Sequence, residues 1–215
     1  MPKTGAGMVG MVSWYFRSWP RPTRPIEWTI DLAHGRVGPL QLGERYPPPY
    51  GIAHWIGPPR SRAMMRRGFW IYPQYGLLFD LEASILTGFL AVLGNPRHTA
   101  LGMVRWIPRI RTFPGMVICP GRDPEPPAGW TVQDLRHRLG APDNVYAEDA
   151  RVTVQYILSE RWVYFFTART EASVLDSIAG HDLRFWPQDA VSVQTSDNVS
   201  SAESDPGAHT TTSLH

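Results

Sequence analysis

Thr131-Val132-Gln133-Asp134-Leu135-Arg136-His137-Arg138-Leu139-Gly140-Ala141-Pro142 is the stretch that decides the fold class. Thr131 is an N-cap for the residues after it, and Val132, Leu135 and Leu139 recur at helical spacing, so one face of a short helix is apolar. Gly140 stops that helix and Pro142 prevents its resumption. Beyond it, Val152, Val154 and Tyr156 alternate with Arg151, Thr153 and Gln155, the pattern of a strand with one buried face. Trp162 to Phe166 reads as a second strand, and Leu175 and Ile178 lie in a third after a turn. The unit is a short helix followed by an antiparallel meander, with Leu139 and Tyr156 expected between helix and sheet.

Working outward, the same landmarks recur upstream in the same order. Leu139-Gly140-Ala141-Pro142 is matched by Ile56-Gly57-Pro58-Pro59, and Glu171-Ala172-Ser173-Val174-Leu175 by Glu82-Ala83-Ser84-Ile85-Leu86. Between the upstream landmarks lie Phe69-Trp70-Ile71-Tyr72 and Gly76-Leu77-Leu78-Phe79, again rich in aromatic and β-favouring residues. This copy begins with a strand at Trp28-Thr29-Ile30-Asp31-Leu32 and a turn at His34-Gly35, and Pro39 to Gly43 leads toward its helical region. Pro47-Pro48-Pro49 then forbids most of a helix and leaves only Tyr50 to Ile56 for one, so the first helix should be the shorter. Met116 to Cys119 is a further strand candidate, and Pro124 to Pro127 is a rigid connector. The expected fold class is α+β, two repeated units, each a short helix followed by a three- or four-stranded antiparallel meander. The expected layout is an arm over 1–25, a first unit over 26–100, a second over 101–187 and a disordered, acidic, Ser/Thr-rich tail over 188–215.

Composition agrees with this punctuation. The 215 residues include 21 Pro and 19 Gly, which argues against a helical bundle, and 43% are hydrophobic, which excludes a wholly disordered chain. The single Cys119 excludes an intramolecular disulfide framework and a multi-cysteine zinc site. Net charge is +2, but residues 1–122 hold 15 Lys and Arg against 5 Asp and Glu, while residues 123–215 hold 6 against 14. The asymmetry has two readings: the halves dock on each other electrostatically, or the basic half meets an acidic partner. Gly5 to Phe16 lacks the features of a secretory signal, and no apolar run is long enough to span a bilayer, so the expected location is cytoplasmic, with no membrane partner. Asn198-Val199-Ser200 is then a glycosylation sequon by letter only.

The helix stops, their repetition in order and the Tyr/Phe-rich strands after them resemble the β-lactamase-inhibitory-protein-like superfamily, which includes small outer-membrane assembly lipoproteins of the SmpA/OmlA type. The resemblance covers roughly residues 28–180 as two units. It implies a non-enzymatic binder whose two sheets line up into one surface that grips a partner. The chain departs from that superfamily in having neither the disulfides of the secreted inhibitor nor the lipidated cysteine of the lipoproteins, and an immunity or antitoxin-like binder fits the remainder.

Residue chemistry points the same way. His34, His54, His98, His137, His181, His209 and His215 show no ligand spacing, and no nucleophile elbow, Walker loop or dinucleotide fingerprint occurs. Cys119 sits in an apolar context that suits an inert buried thiol. Asp80 and Glu82 share one face of a strand and have the makings of an acid/base or cation pair, but a solvated turn charge is the simpler explanation for Glu82 and for the matching Glu171. Arg60, Arg62, Arg66 and Arg67, next to Phe69, Trp70 and Tyr72, combine arginines for phosphate with aromatics for bases, against a plain solvated loop as the simpler reading. The chain is thus read as a protein-binding module without cofactor or catalytic residues, its oligomeric state open, with nucleic acid or another polyanion as the alternative partner. The expected working surface is the sheet face turned away from the helices. Trp70, Tyr72, Trp162, Tyr164, Arg66 and Arg67 are the candidate binding residues.

Overall fold

Thr131 caps its helix as its position requires. In the computed structural model, which describes residues 16–59, 65–66, 68–94, 110–148, 151–159 and 161–185, the Thr131 hydroxyl accepts from the Asp134 amide at 3.3 Å. The Asp134 carboxylate accepts from the Thr131 amide at 2.8 Å, completing a capping box. The Thr131 amide and hydroxyl, both donating to that carboxylate, and the nearby Arg138 charge hold the Asp134 carboxyl below the usual carboxylate range. The helix spans Val132–Leu139, and Gly140 ends it at φ 87°. Val132 and Leu135 are buried, whereas Leu139, expected in the core, is only half-buried, because it lies in the last turn.

In chain order the strands are β1 (Thr29–Asp31), β2 (Arg36–Val37), β3 (Leu40–Gln41), β4 (Met65–Arg66), β5 (Phe69–Tyr72), β6 (Leu77–Glu82), β7 (Ile85–Val92) and β8 (Met116–Ile118). They continue with β9 (Asn144–Glu148), β10 (Arg151–Leu158), β11 (Trp162–Ala168) and β12 (Leu175–Asp182). A four-residue helix α1 (Ala53–Ile56) falls between β3 and β4, and the capped helix is α2. The architecture is α+β, with two sheet-containing regions and short helices.

Eight strands form one antiparallel sheet in the order β4-β5-β6-β7-β12-β11-β10-β9. Two meanders therefore meet through their last strands, with Leu90 opposite Ala179, Ala91 opposite Ile178 and Phe89 opposite Gly180. The other four strands make a second sheet, β3-β2-β1-β8, in which β1 and β8 run parallel with Ile30 opposite Val117. The expectation of antiparallel sheet alone is corrected here. The Trp28 to Leu32 strand does not join the first meander but founds a separate layer, and Pro39 to Gly43 contributes β3 to it.

α1 is shorter than α2, as the three prolines dictate, and Gly57 ends it at φ 79°. In each half of the large sheet a tyrosine returns to the helix stop: Tyr72 donates to the Gly57 carbonyl at 3.0 Å and Tyr156 to the Gly140 carbonyl at 3.2 Å. Phe79 meets the Tyr72 ring edge-on at 5.8 Å, and Phe166 meets Tyr156 in the same way at 5.8 Å. Register shifts come after both phenylalanines, between Asp80 and Leu81 and between Thr167 and Ala168. The halves also differ: the helices are unequal and the small sheet has no counterpart, so the whole is not a clearly symmetric tandem repeat.

One face of the large sheet, carrying Tyr72, Phe79, Phe89, Tyr156, Tyr164, Phe166 and Ile178, shares a core with Val132 and Leu135 of α2 and with Ile30, Leu32, Val37 and Leu40 of the small sheet. The Tyr164 hydroxyl donates to the Leu32 carbonyl at 2.9 Å, and Gly35 lies against the Trp162 ring, where a Cβ would approach to 2.6 Å. The described residues belong to a unit covering Met1–Phe185; Trp186–His215 form another. The expected tail over 188–215 and the first part of the expected arm lie outside the described residues.

Candidate interaction surface

Strand alternation decides where the nominated aromatics point. Trp70 and Tyr72 on β5 and Trp162 and Tyr164 on β11 share the covered face, with Tyr164 directly opposite Tyr156. Tyr72 and Tyr164 have no exposure, Trp162 has 4%, and Trp70 is half-buried against the same core. The sequence leaves open which of the four point outward, and the structure corrects three of these candidates: Tyr72, Trp162 and Tyr164 are core side chains. Burial accordingly raises the Tyr72 and Tyr164 hydroxyls well above the usual tyrosine range. Arg66 of β4 stands opposite Phe69 of β5 in the antiparallel pair, while Arg60, Arg62 and Arg67 lie outside the described residues.

The opposite face of the sheet is closed at its centre. Leu78, Leu90 and Val92 form a second buried cluster with Ile71, Ile110 and Ala179 beside it, and Val163 is buried as well. One row of that face runs Asp80, Gly88, His181. Burial, with Glu82 nearby, raises the Asp80 carboxyl, and burial pushes the His181 imidazole down to about 4, so that ring is neutral at pH 7. Gly88 has no side chain because the His181 ring occupies the space where its Cβ would stand. Cys119 is 2% exposed, and burial pushes its thiol up to about 11, which leaves it protonated and a poor nucleophile. Among the described residues no three His, Cys, Asp or Glu side chains converge as metal ligands. Likewise among the described residues, no helix is long and apolar enough to cross a membrane.

The open aromatic surface lies at α1. Burial of Ala53 and Ile56 turns the two intervening residues outward, and Trp55 is 53% exposed with the His54 ring edge-on to it at 5.9 Å. Along the same region runs the end of the arm. Trp19 packs edge-on to the buried Phe16 at 4.9 Å, to Tyr50 at 5.6 Å, and at a tilt to Trp70 at 6.2 Å. A Cβ at Gly51, φ 53°, would stand 3.2 Å from the Trp70 ring, and one at Gly57 would stand 3.2 Å from Pro22. Glycine is required at both turns by the left-handed backbone and the close neighbour together. Of the aromatics nominated from sequence, Trp70 alone reaches this surface. Trp55 was missed, although the apolar spacing of Ile52, Ala53 and Ile56 already implies that Trp55 faces out.

Large exposed apolar side chains are few among the described residues: Trp55, Met116, Val145 and Val174. Trp55 is the one aromatic among them, and tryptophan is among the side chains enriched at the energetic centres of protein interfaces. A hollow beside α2, lined by Gln133, Arg136, His137, Glu171 and Ala172, is bridged by an Arg136 to Glu171 ion pair at 2.9 Å and gathers no further charged groups.

No family model matches the chain, and no curated protein does. Among solved structures, a DUF4309 family protein (YjgB) from Bacillus subtilis subsp. subtilis str. 168 is similar at 15% identity, covering 61% of this chain and 74% of that chain with a TM-score of 0.36. So loose a superposition transfers no function.

Proposed function

We propose that the chain is a non-enzymatic protein-binding module of the immunity or inhibitor-like kind, and that its working surface is the Trp55 region rather than the exposed sheet face expected from sequence. The observation that carries this reading is Trp55 itself, 53% exposed on α1, the helix that follows Tyr50 of the braced Trp19, Tyr50 and Trp70 cluster. An apolar ring of that size gains from leaving water, and its neighbours hold the surface in shape before a partner arrives. Two copies of one helix-plus-meander unit, as in β-lactamase-inhibitory-protein-like folds, account for the construction. The paired tyrosine-to-glycine hydrogen bonds, the matching register shifts and the pairing of β7 with β12 about Leu90 and Ala179 all support that reading.

The test is co-purification from the source lysate with the parent chain, Trp55→Ala and Val174→Ala, the last removing an exposed apolar side chain elsewhere. Partners held by the parent and Val174→Ala should be lost by Trp55→Ala, which should weaken affinity by about 2 kcal/mol or more. Equal retention by all three proteins overturns the assignment of the surface. A nucleic-acid or polyanion role for the basic half is the second reading, favoured by exposed arginines beside Trp19. It requires retention on an immobilised polyanion that falls steeply with salt.

A further inference from the structure

Arg17, Arg21 and Arg24 are all exposed, and among the described residues none makes an ion pair or a side-chain hydrogen bond. They do not sit on a free strand of chain. Phe16 is 4% exposed, Trp19 is wedged against Tyr50 and Trp70, and Pro22 lies against Gly57 at the end of α1. These anchors alternate with the arginines and fix the segment at Tyr50 and Gly57, the residues that bracket α1, so the three exposed arginines lie on a stretch that runs past the helix carrying Trp55. Glu27, also exposed, is the one carboxylate in the same stretch.

We infer that the partner held at Trp55 offers an acidic peptide segment to Arg17, Arg21 and Arg24, an inference that rests on the protein-binding reading above. Guanidinium forks match carboxylates two bonds at a time, and cations without internal partners lose little when a carboxylate displaces water. Single-stranded nucleic acid fits this surface less well. Such ligands stack successive bases on successive free rings, whereas Trp19, Tyr50 and Trp70 are packed edge-on or tilted against one another, and among the described aromatics Trp55 alone is largely exposed. One open ring on α1 and unpaired arginines on the segment anchored near both ends of that helix suit one apolar residue set among carboxylates.

The probe is a fluorescein-labelled peptide of alternating acidic residues with a central Leu-Phe, compared with a labelled oligothymidylate of equal length, by anisotropy on the full chain. The peptide should bind more tightly than the oligonucleotide. Combining Arg17→Ala, Arg21→Ala and Arg24→Ala should weaken it about tenfold, as should Trp55→Ala. Arg36→Ala with Arg169→Ala, exposed arginines elsewhere, should change it less than about twofold, and all variants should melt like the parent because the altered side chains are exposed. Tighter binding of the oligonucleotide, absence of peptide binding, or equal loss in the control pair overturns the acidic-segment assignment. If the co-purified partner depends on Trp55 but not on the three arginines, the acidic chemistry fails while the protein-binding reading stands. If it depends on neither, both fail.

Discussion

Gly57 and Gly140 stop helices of four and eight residues, and in each half of the large sheet a tyrosine hydroxyl reaches back to the stop. α2 covers its half with Val132 and Leu135, capped and complete. α1, cut short by prolines, covers less, and Trp19, Tyr50 and the edge of Trp70 fill the deficit. Where a regular helix covers a meander, the outer surface becomes charged and ordinary, as in the Arg136 to Glu171 pair. Where loops and an arm must do it, aromatic side chains are spent on coverage and some remain at the surface. The structural shortfall of the first half and the candidate interaction surface are the same place.

The comparison breaks most readily at its centre. Phe79 and Phe166 have no exposure and hold equivalent contacts to Tyr72 and Tyr156. Phe79→Ala and Phe166→Ala should each cost about 3–5 kcal/mol in urea unfolding. If one costs less than half the other, the two meanders are not equivalent in their packing.

Much of this was legible in the sequence, and the failures have physical causes. α2 was readable because cap, period and stop agree within one local stretch. The parallel pairing of β1 with β8 was not, since it joins segments far apart in the chain and leaves no turn signal between them. β9 escaped notice because Asn144-Val145-Tyr146-Ala147-Glu148 is a short edge strand whose two β-favouring residues, Val145 and Tyr146, are adjacent and so show no alternation. The facing of Trp70, Tyr72, Trp162 and Tyr164 was unreadable for another reason. All four residues of β5 are large and apolar and β11 is buried on both faces, so the period of two vanishes where both sides of a sheet are covered.

Next in size is an acid effect confined to the second half. His181 is neutral in the folded chain, its imidazole pushed down to about 4 by burial, so the unfolded chain binds the extra proton first. Stability is full above the ordinary histidine value and falls as pH drops from about 6.5 toward about 4, by up to about 1.4 kcal/mol per pH unit. His181→Asn should flatten that limb of a stability-against-pH curve. Asp182 responds lower. Burial pushes its carboxyl up, but hydrogen bonds from Arg184 and the charges of Arg184 and Arg161 overcome this and hold it below the usual range. Its contribution is present above about 3.9 and is lost as pH falls through the folded value. Asp182→Asn should cost about 1–3 kcal/mol at pH 7 and remove that lower limb. A curve unchanged by both substitutions contradicts the burial of this pair.

Leu139→Ala sharpens the comparison of helix ends. Half-burial of Leu139 lowers its expected cost to about 1–2 kcal/mol, below the roughly 2–5 kcal/mol typical of a full core site such as Leu135, for which Leu135→Ala is the reference. Equal costs for the two substitutions show that the last turn is packed as tightly as the first.

The smallest effect discriminates most finely between the halves. Tyr72→Phe and Tyr156→Phe each delete one hydroxyl and keep the ring, so the packing against Phe79 and Phe166 survives and the change isolates one hydrogen bond to a glycine carbonyl. The carbonyls left behind differ in setting. Gly57 is buried, so removing the Tyr72 hydroxyl strands its oxygen away from water, and that costs about 1–2 kcal/mol. Gly140 is exposed, so water replaces the Tyr156 hydroxyl and the loss should stay below about 1 kcal/mol. Urea midpoints at constant m-value measure both. The direction comes from the same asymmetry that shortens α1: the arm and loops that compensate for the missing helix turns, with Pro22 against Gly57, also shut water away from its stop. A larger loss for Tyr156→Phe than for Tyr72→Phe means that the Gly140 stop is the drier of the two, and the account of how the first half is covered then fails.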